Sequence, residues 1–118
     1  MHEGKRYKNS FLVYVKDQII PVSVDQIAYF FLENELVYCR THNNRTYILD
    51  QTLDKIASQL NPNGFYRANR QYLVSRQAIQ SAAQHFNRKL KLQLKPPPEE
   101  EVFISKTKAS AFKEWLEV

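Results

Sequence analysis

Gly64-Phe65-Tyr66-Arg67-Ala68-Asn69-Arg70-Gln71-Tyr72-Leu73-Val74-Ser75 is the stretch from which the rest of the chain is read. It leaves a turn signal, Asn61-Pro62-Asn63-Gly64, and ends in a β-prone run, Tyr72-Leu73-Val74. Arg67 and Arg70 flank Ala68-Asn69 in its middle. This spacing sets charged forks at a strand or turn edge, where either arginine suits a phosphate or a guanine edge. A lone surface arginine more often makes an exposed ion pair. The neighbourhood argues otherwise. From Lys55 to Pro98 there is no Asp or Glu, yet the span holds Lys55, Arg67, Arg70, Arg76, Arg88, Lys89, Lys91 and Lys95. With no local acid to pair with, these side chains point to an external polyanion.

The chain has 118 residues, enough for one domain with a core. Its 43% hydrophobic and 25% charged residues are ordinary for a globular fold, while a net charge of +5 favours nucleic acid or an anionic surface. No apolar run approaches the ~18 residues of a membrane span, and Met1-His2-Glu3-Gly4-Lys5-Arg6 lacks the apolar centre of a signal peptide. Cys39 is the single cysteine, so no internal disulfide forms, which fits a reducing cytoplasm. Two glycines in all leave no glycine-rich phosphate loop. His42 and His85 lie in separate turns without a Cys or acid at ligand spacing, so no metal or other cofactor is expected. No catalytic constellation is evident, and the expectation is a protein that is not an enzyme.

Residues 1–10 read as a linker or lead-in and 11–118 as the domain. Phe11–Val15 is a strand, and Ile19 to Val22 continues after a Lys16-Asp17-Gln18 turn. Pro21 marks an edge. Ser23 caps one helical turn. Ile27–Leu32 is a buried strand, and Glu33-Asn34-Glu35 a polar turn. Leu36–Thr41 and Arg45–Leu49 form a hairpin around His42-Asn43-Asn44. Thr52 caps a helix with Leu53, Ile56, Ala57 and Leu60 at helical spacing, stopped at Asn61-Pro62. After the central stretch, Arg76-Gln77-Ala78 is a single turn and Ile79 leads another strand. His85-Phe86-Asn87-Arg88 is a turn, and Lys89–Lys95 alternates as a half-buried strand with a basic outer face. Pro96 to Glu101 is a loop, Val102–Ile104 a short strand, and Ser105 caps a last helix over Lys106–Leu116. In that helix Ala109, Phe112, the Lys113 stem and Leu116 share a face, flanked by Trp115. About seven to nine short strands with one internal and one terminal helix are predicted.

In this order the chain resembles the LytTR-type DNA-binding domain, the output domain of many bacterial response regulators. Four pieces carry the resemblance: Val22-Ser23-Val24-Asp25-Gln26-Ile27-Ala28-Tyr29-Phe30; Leu53–Leu60 with Phe65-Tyr66-Arg67; Asn69-Arg70-Gln71-Tyr72-Leu73-Val74-Ser75; and Ile104-Ser105-Lys106. The resemblance implies a mainly β, elongated fold of short antiparallel strands with one internal and one C-terminal helix. It also implies a reader that inserts loops into successive major grooves of double-stranded DNA and contacts its phosphate backbone. Carried over by position, the contact loops are the one after Tyr29–Leu32, at Asn34 or Glu35, the Asn69-Arg70 turn, and the start of the final helix at Lys106. The chain departs from the family pattern with Asn69 for the usual His, Gln71 for Ser, Ser75 for Asn and Lys106 for Arg. The last change keeps a point charge and loses the bidentate fork.

Weighed singly, Arg70 is the leading reader. Asn69 can read adenine through its amide or hold a turn. Lys106 sits in the first turn of a helix, where an anionic partner would relieve an unfavourable charge. Arg67 either braces the Arg70 turn or touches phosphate. Lys108 and Arg88 are further phosphate candidates, and Arg88, Lys89 and Lys91 can equally be a solvated sheet face. Expected partners are duplex DNA and, in a longer regulator, an upstream receiver or sensory domain, with homodimerisation on DNA. The alternative is a non-catalytic protein-interaction module of the same fold, with DNA binding weakened by Glu35 and Glu99–Glu101.

Overall fold

The structure, a computed structural model, describes residues 6–118. Ten strands and two α-helices follow in the order β1 (Ser10–Val15), β2 (Gln18–Ser23), β3 (Ile27–Glu33), β4 (Leu36–Thr41), β5 (Thr46–Leu49), α1 (Leu53–Gln59), β6 (Phe65–Arg67), β7 (Tyr72–Ser75), β8 (Ile79–Gln84), β9 (Leu90–Leu94), β10 (Val102–Ile104) and α2 (Ala109–Glu117). The predicted mainly β architecture with one internal and one terminal helix is what the chain adopts. The strand count is ten instead of seven to nine, because Phe65–Arg67 pairs with β7 as a strand of its own.

The strands divide into two antiparallel sheets, a seven-stranded one in the order β2-β1-β5-β4-β3-β7-β6 and a three-stranded one in the order β10-β9-β8. Buried β3 lies inside the larger sheet, as its unbroken apolar run requires. Ile27 and Phe30 enter one core with Phe11, Val13, Cys39, Leu73 and the α1 residues Leu53 and Ile56. Ala28, Tyr29 and Phe31 enter a second core, formed with Leu90, Leu92, Leu94, Val102, Ile104 and Phe112. A register shift between Ile27 and Tyr29 breaks the two-residue alternation, so neighbours Ala28 and Tyr29 both reach the second core. The seven-stranded sheet is thus covered by α1 on one face, and by the small sheet with α2 on the other. The whole is a slab of 45 × 44 × 24 Å.

Several local expectations meet their physical reasons here. Pro21 lies in β2, at an open edge of the large sheet. The Ser23 hydroxyl accepts from Asp25 N–H, while Gln26 returns a bond to Ser23 N–H, a reciprocal cap. Thr52 caps α1 by accepting from Lys55 N–H at 3.1 Å. The last helix differs from expectation. Its first turn, Lys106–Lys108, is a 3-10 turn, and the Ser105 hydroxyl bonds Thr107 Oγ1 instead of a backbone N–H. Lys113 is exposed, so its stem adds nothing to the buried face. Of the expected lead-in, residues 1–5 lie outside the described residues. Lys8 N–H donates to Gln59 O and Asn9 O accepts from Val24 N–H, which fixes both to the domain just before Ser10 opens β1.

Candidate nucleic-acid interface

The turn between β6 and β7 is built by its own side chains. Asn69 Oδ1 accepts from the N–H groups of Gln71 and Tyr72 at 2.8 and 3.0 Å. Its Nδ2 donates across to Phe103 O at 3.0 Å, tying the turn to β10 of the small sheet. Arg67 lies under the same turn. Its guanidinium donates to Asn69 O at 2.8 Å, to Arg70 O at 2.9 Å and to Asp54 Oδ1 at 2.7 Å. Of the two roles weighed for each residue, the structure therefore displays the bracing one for Arg67 and the turn-holding one for Asn69. Asp54 stands one residue outside the acid-free span and returns to it because α1 packs against the sheet. The inference that the span's cations lack acid partners fails for Arg67 and for Lys91, which pairs with Glu101 at 2.9 Å.

Arg70 is left over. Its carbonyl is held by Arg67, and its side chain is exposed with neither an ion pair nor a hydrogen bond among the described residues. Beside it, Leu32 N–H donates to Gln71 O at 2.9 Å, which draws the β3–β4 turn alongside. In that turn Asn34 and Glu35 both take positive φ, 52° and 66°, which directs two exposed side chains outward from a two-residue tip. Glu35, Asp54, Arg67 and Arg70 line a common open cleft, so this flank is mixed in charge.

The opposite flank is basic. Ile104 at the end of β10 pairs with Leu90, and Gln84 at the end of β8 pairs with Leu90 from the other side. This register puts the Lys106–Lys108 turn and the β8–β9 tip at one end of the small sheet. Lys106, Lys108 and Arg88 are exposed and without a carboxylate partner among the described residues. At the tip the His85 ring packs 4.9 Å from Phe103, and Lys89 Nζ lies 4.7 Å from the centre of the same ring. The Asn69 bond to Phe103 O ties the Arg70 turn to β10, whose end leads into the helix start and whose Phe103 ring meets the hairpin tip. Arg76 is not part of it. Its guanidinium stacks 3.8 Å above Trp115 and donates to Asn63 O and Leu116 O.

One cation escaped the sequence reading. Arg40 is buried without a carboxylate: Nε donates to Thr46 Oγ1 and a terminal nitrogen to Tyr29 Oη, and the guanidinium lies over the Tyr29 and Phe31 rings. Tyr29 Oη in turn donates to Pro96 O at 2.9 Å, so Arg40 helps seat the loop that joins β9 to β10. The signal available was its place in β4 beside Tyr38 and Cys39, a strand covered on both faces. Burial raises the Tyr29 hydroxyl above its usual pKa against the lowering bond from Arg40, and burial likewise pushes Tyr72 up to about 12. Burial also pushes the Cys39 thiol up to about 12, the state of a packed, unreactive residue.

The family model of the LytTr DNA-binding domain matches residues 17–117. This chain belongs to the LytTr DNA-binding domain family. Among known proteins, this LytTr domain is 28% identical over 79 residues to the transcriptional regulatory protein LytR of Staphylococcus aureus strain N315, covering 60% of this chain and 32% of that relative. The same protein of strain NCTC 8325 / PS 47 matches to the same extent. The chain thus spans about a third of the length of these relatives. Among solved structures, the LytTr DNA-binding domain of a methyl-accepting/DNA response regulator from Bacillus cereus superposes with a TM-score of 0.80 at 21% identity, over 94% of this chain and 99% of that one. The resemblance read from Val22–Phe30, the central stretch and Ile104–Lys106 is to this family.

Proposed function

We propose that this LytTr domain binds duplex DNA sequence-specifically through the end formed by the β3–β4 turn, the Asn69-Arg70 turn, the β8–β9 tip and the start of the last helix. The observation that carries this reading is the convergence there of Arg70, Arg88, Lys106 and Lys108, all exposed and without an acid partner among the described residues. Arg70, on a turn braced from beneath, is the base reader; the other three take phosphates, and Asn34 and Glu35 border the same groove. On this reading the domain is the output module of a cytoplasmic two-component transcription regulator, a role supported by its membership of the LytTr family. An upstream receiver or sensory domain and homodimerisation on DNA belong to the same proposal. Among the described residues, no helix is long and apolar enough to cross a membrane.

The test begins with duplexes selected from a random pool by the parent chain. With about three phosphate contacts, log affinity falls against log salt with a slope of about −2.7. Lys106→Ala flattens that slope by about one and weakens all sequences alike. Arg70→Ala instead removes about 1–3 kcal/mol of preference for the selected sequence. The second reading, a protein-interaction module, draws on Glu35, Asp50 and Asp54 lining the cleft beside Arg70. It takes over if the pool yields no enriched sequence and the parent shows a flat salt dependence.

A further inference from the structure

Phe86 stands apart among the exposed apolar side chains. Leu12, Tyr14, Ile19 and Leu36 are less exposed and Val118 is the last residue of the sequence, whereas Phe86 keeps 75% of its surface open within a hairpin tip at the basic end of the molecule. Arg88 and Lys89 follow it within the same tip. Two strand spacings separate β8 from β10 across β9, or about 10 Å, so the Lys106 turn is its neighbour on the other side of the small sheet.

The tip is stiff. His85 N–H donates to Lys89 O at 2.8 Å and Lys89 N–H to Phe86 O at 3.3 Å, which closes the loop on both sides of the ring. Asn87 and Arg88 take positive φ, 59° and 61°, and set the sharp reversal just after Phe86. Below the tip, His85 and Lys89 both hold the Phe103 ring. Phe86 is left mostly in water, where its ring forgoes the burial that favours an aromatic side chain.

An apolar side chain on a stiff support amid cations is the chemistry of a wedge. In DNA such a side chain enters between two base pairs from the minor groove, unstacks them in part and bends the duplex, while flanking cations hold the phosphates. We propose that Phe86 is an intercalating wedge and that this domain bends the DNA it binds. The proposal rests on the DNA-binding reading above. It adds a minor-groove contact at the hairpin tip and a deformed duplex as the bound form. Pyrimidine–purine steps, which unstack most readily, are the expected site of insertion.

The test uses a duplex selected by the parent chain and labelled with a donor and an acceptor dye at its two ends. Binding of the parent raises energy transfer, since bending brings the ends together. Phe86→Ala binds the same duplex with the rise in transfer lost, and its affinity changes by less than about tenfold because bending cost and inserted contacts offset each other. Phe86→Leu, still apolar, keeps the rise. Thermal unfolding of both variants stays close to the parent, because most of the side chain's surface is open to solvent. If the parent binds without raising transfer, or if Phe86→Ala bends the duplex as the parent does, the wedge is wrong and the DNA-binding reading stands. If the parent enriches no duplex, the DNA-binding reading falls and takes the wedge with it.

Discussion

Asn69 and Arg70 are adjacent, the first half-buried and the second exposed, and do different work. The Asn69 amide makes three bonds, two within its turn and one to Phe103 O, whereas the Arg70 guanidinium makes none. Asn69→Ala is therefore expected to cost about 1–3 kcal/mol of folding stability, since two N–H groups and a carbonyl lose their partner. Asn69→Asp keeps the oxygen that accepts both turn bonds and so costs less, although its second oxygen now faces Phe103 O and recovers only part of the loss. Denaturant titration of the two variants checks the order, and equal losses would remove the turn-holding role. At this scale the sequence was half legible. An arginine beside a turn announced itself and Arg70 ranked first, but Arg67 stayed open between bracing and phosphate, because the carboxylate it pairs with, Asp54, comes from a helix thirteen positions earlier.

The elements were easier to read than their arrangement. Strict alternation in Lys89–Lys95 identifies β9, and Leu53, Ile56 and Leu60 identify α1, because burial on one face is a local pattern. Membership of a sheet is not local. Nothing in Leu90-Lys91-Leu92 states that it pairs with β8 and β10 and not with the larger sheet. The terminal helix shows the same division. Its apolar face was visible, while its anchoring was not, because the partners of Trp115 are Pro62 O at 2.6 Å, the Arg76 guanidinium and the Tyr66 ring. Trp115→Ala is expected to destabilise the domain by about 2–3 kcal/mol, somewhat under the loss for a fully buried aromatic. Trp115→Phe, which retains the stack and drops one hydrogen bond, should cost about 1 kcal/mol. Unfolding followed by far-UV circular dichroism measures both; an unshifted midpoint for the alanine variant would mean that α2 is held by Phe112 alone.

For the molecule as a whole, buried ionisable groups set a limit on the alkaline side. Burial raises Cys39 from 9.0 to about 12 and Tyr72 from 10.0 to about 12, and Tyr29 and Tyr66 also move upward. Each group holds its proton more tightly when folded than when unfolded, so its contribution is complete below the unfolded value and fades as pH climbs to the folded one. Stability should be level from neutrality to pH 9 and fall steeply towards pH 12. Cys39→Ala should delay the onset of the fall until the tyrosines titrate. Urea midpoints across that range test this, and a midpoint independent of pH would contradict it.

The chain holds two glycines, and Gly64, the one among the described residues, does not occupy a left-handed position. Those positions go to Lys16, Asn34, Glu35, Asn44, Asn87 and Arg88, four of them in the two turns that border the candidate interface. A residue with a β-carbon is strained there by roughly 1 kcal/mol or more, and the fold as a whole absorbs that strain. In exchange, an unbound turn of this kind samples few shapes. A ligand docking on it has little loop motion to arrest, so the entropy lost on association stays small.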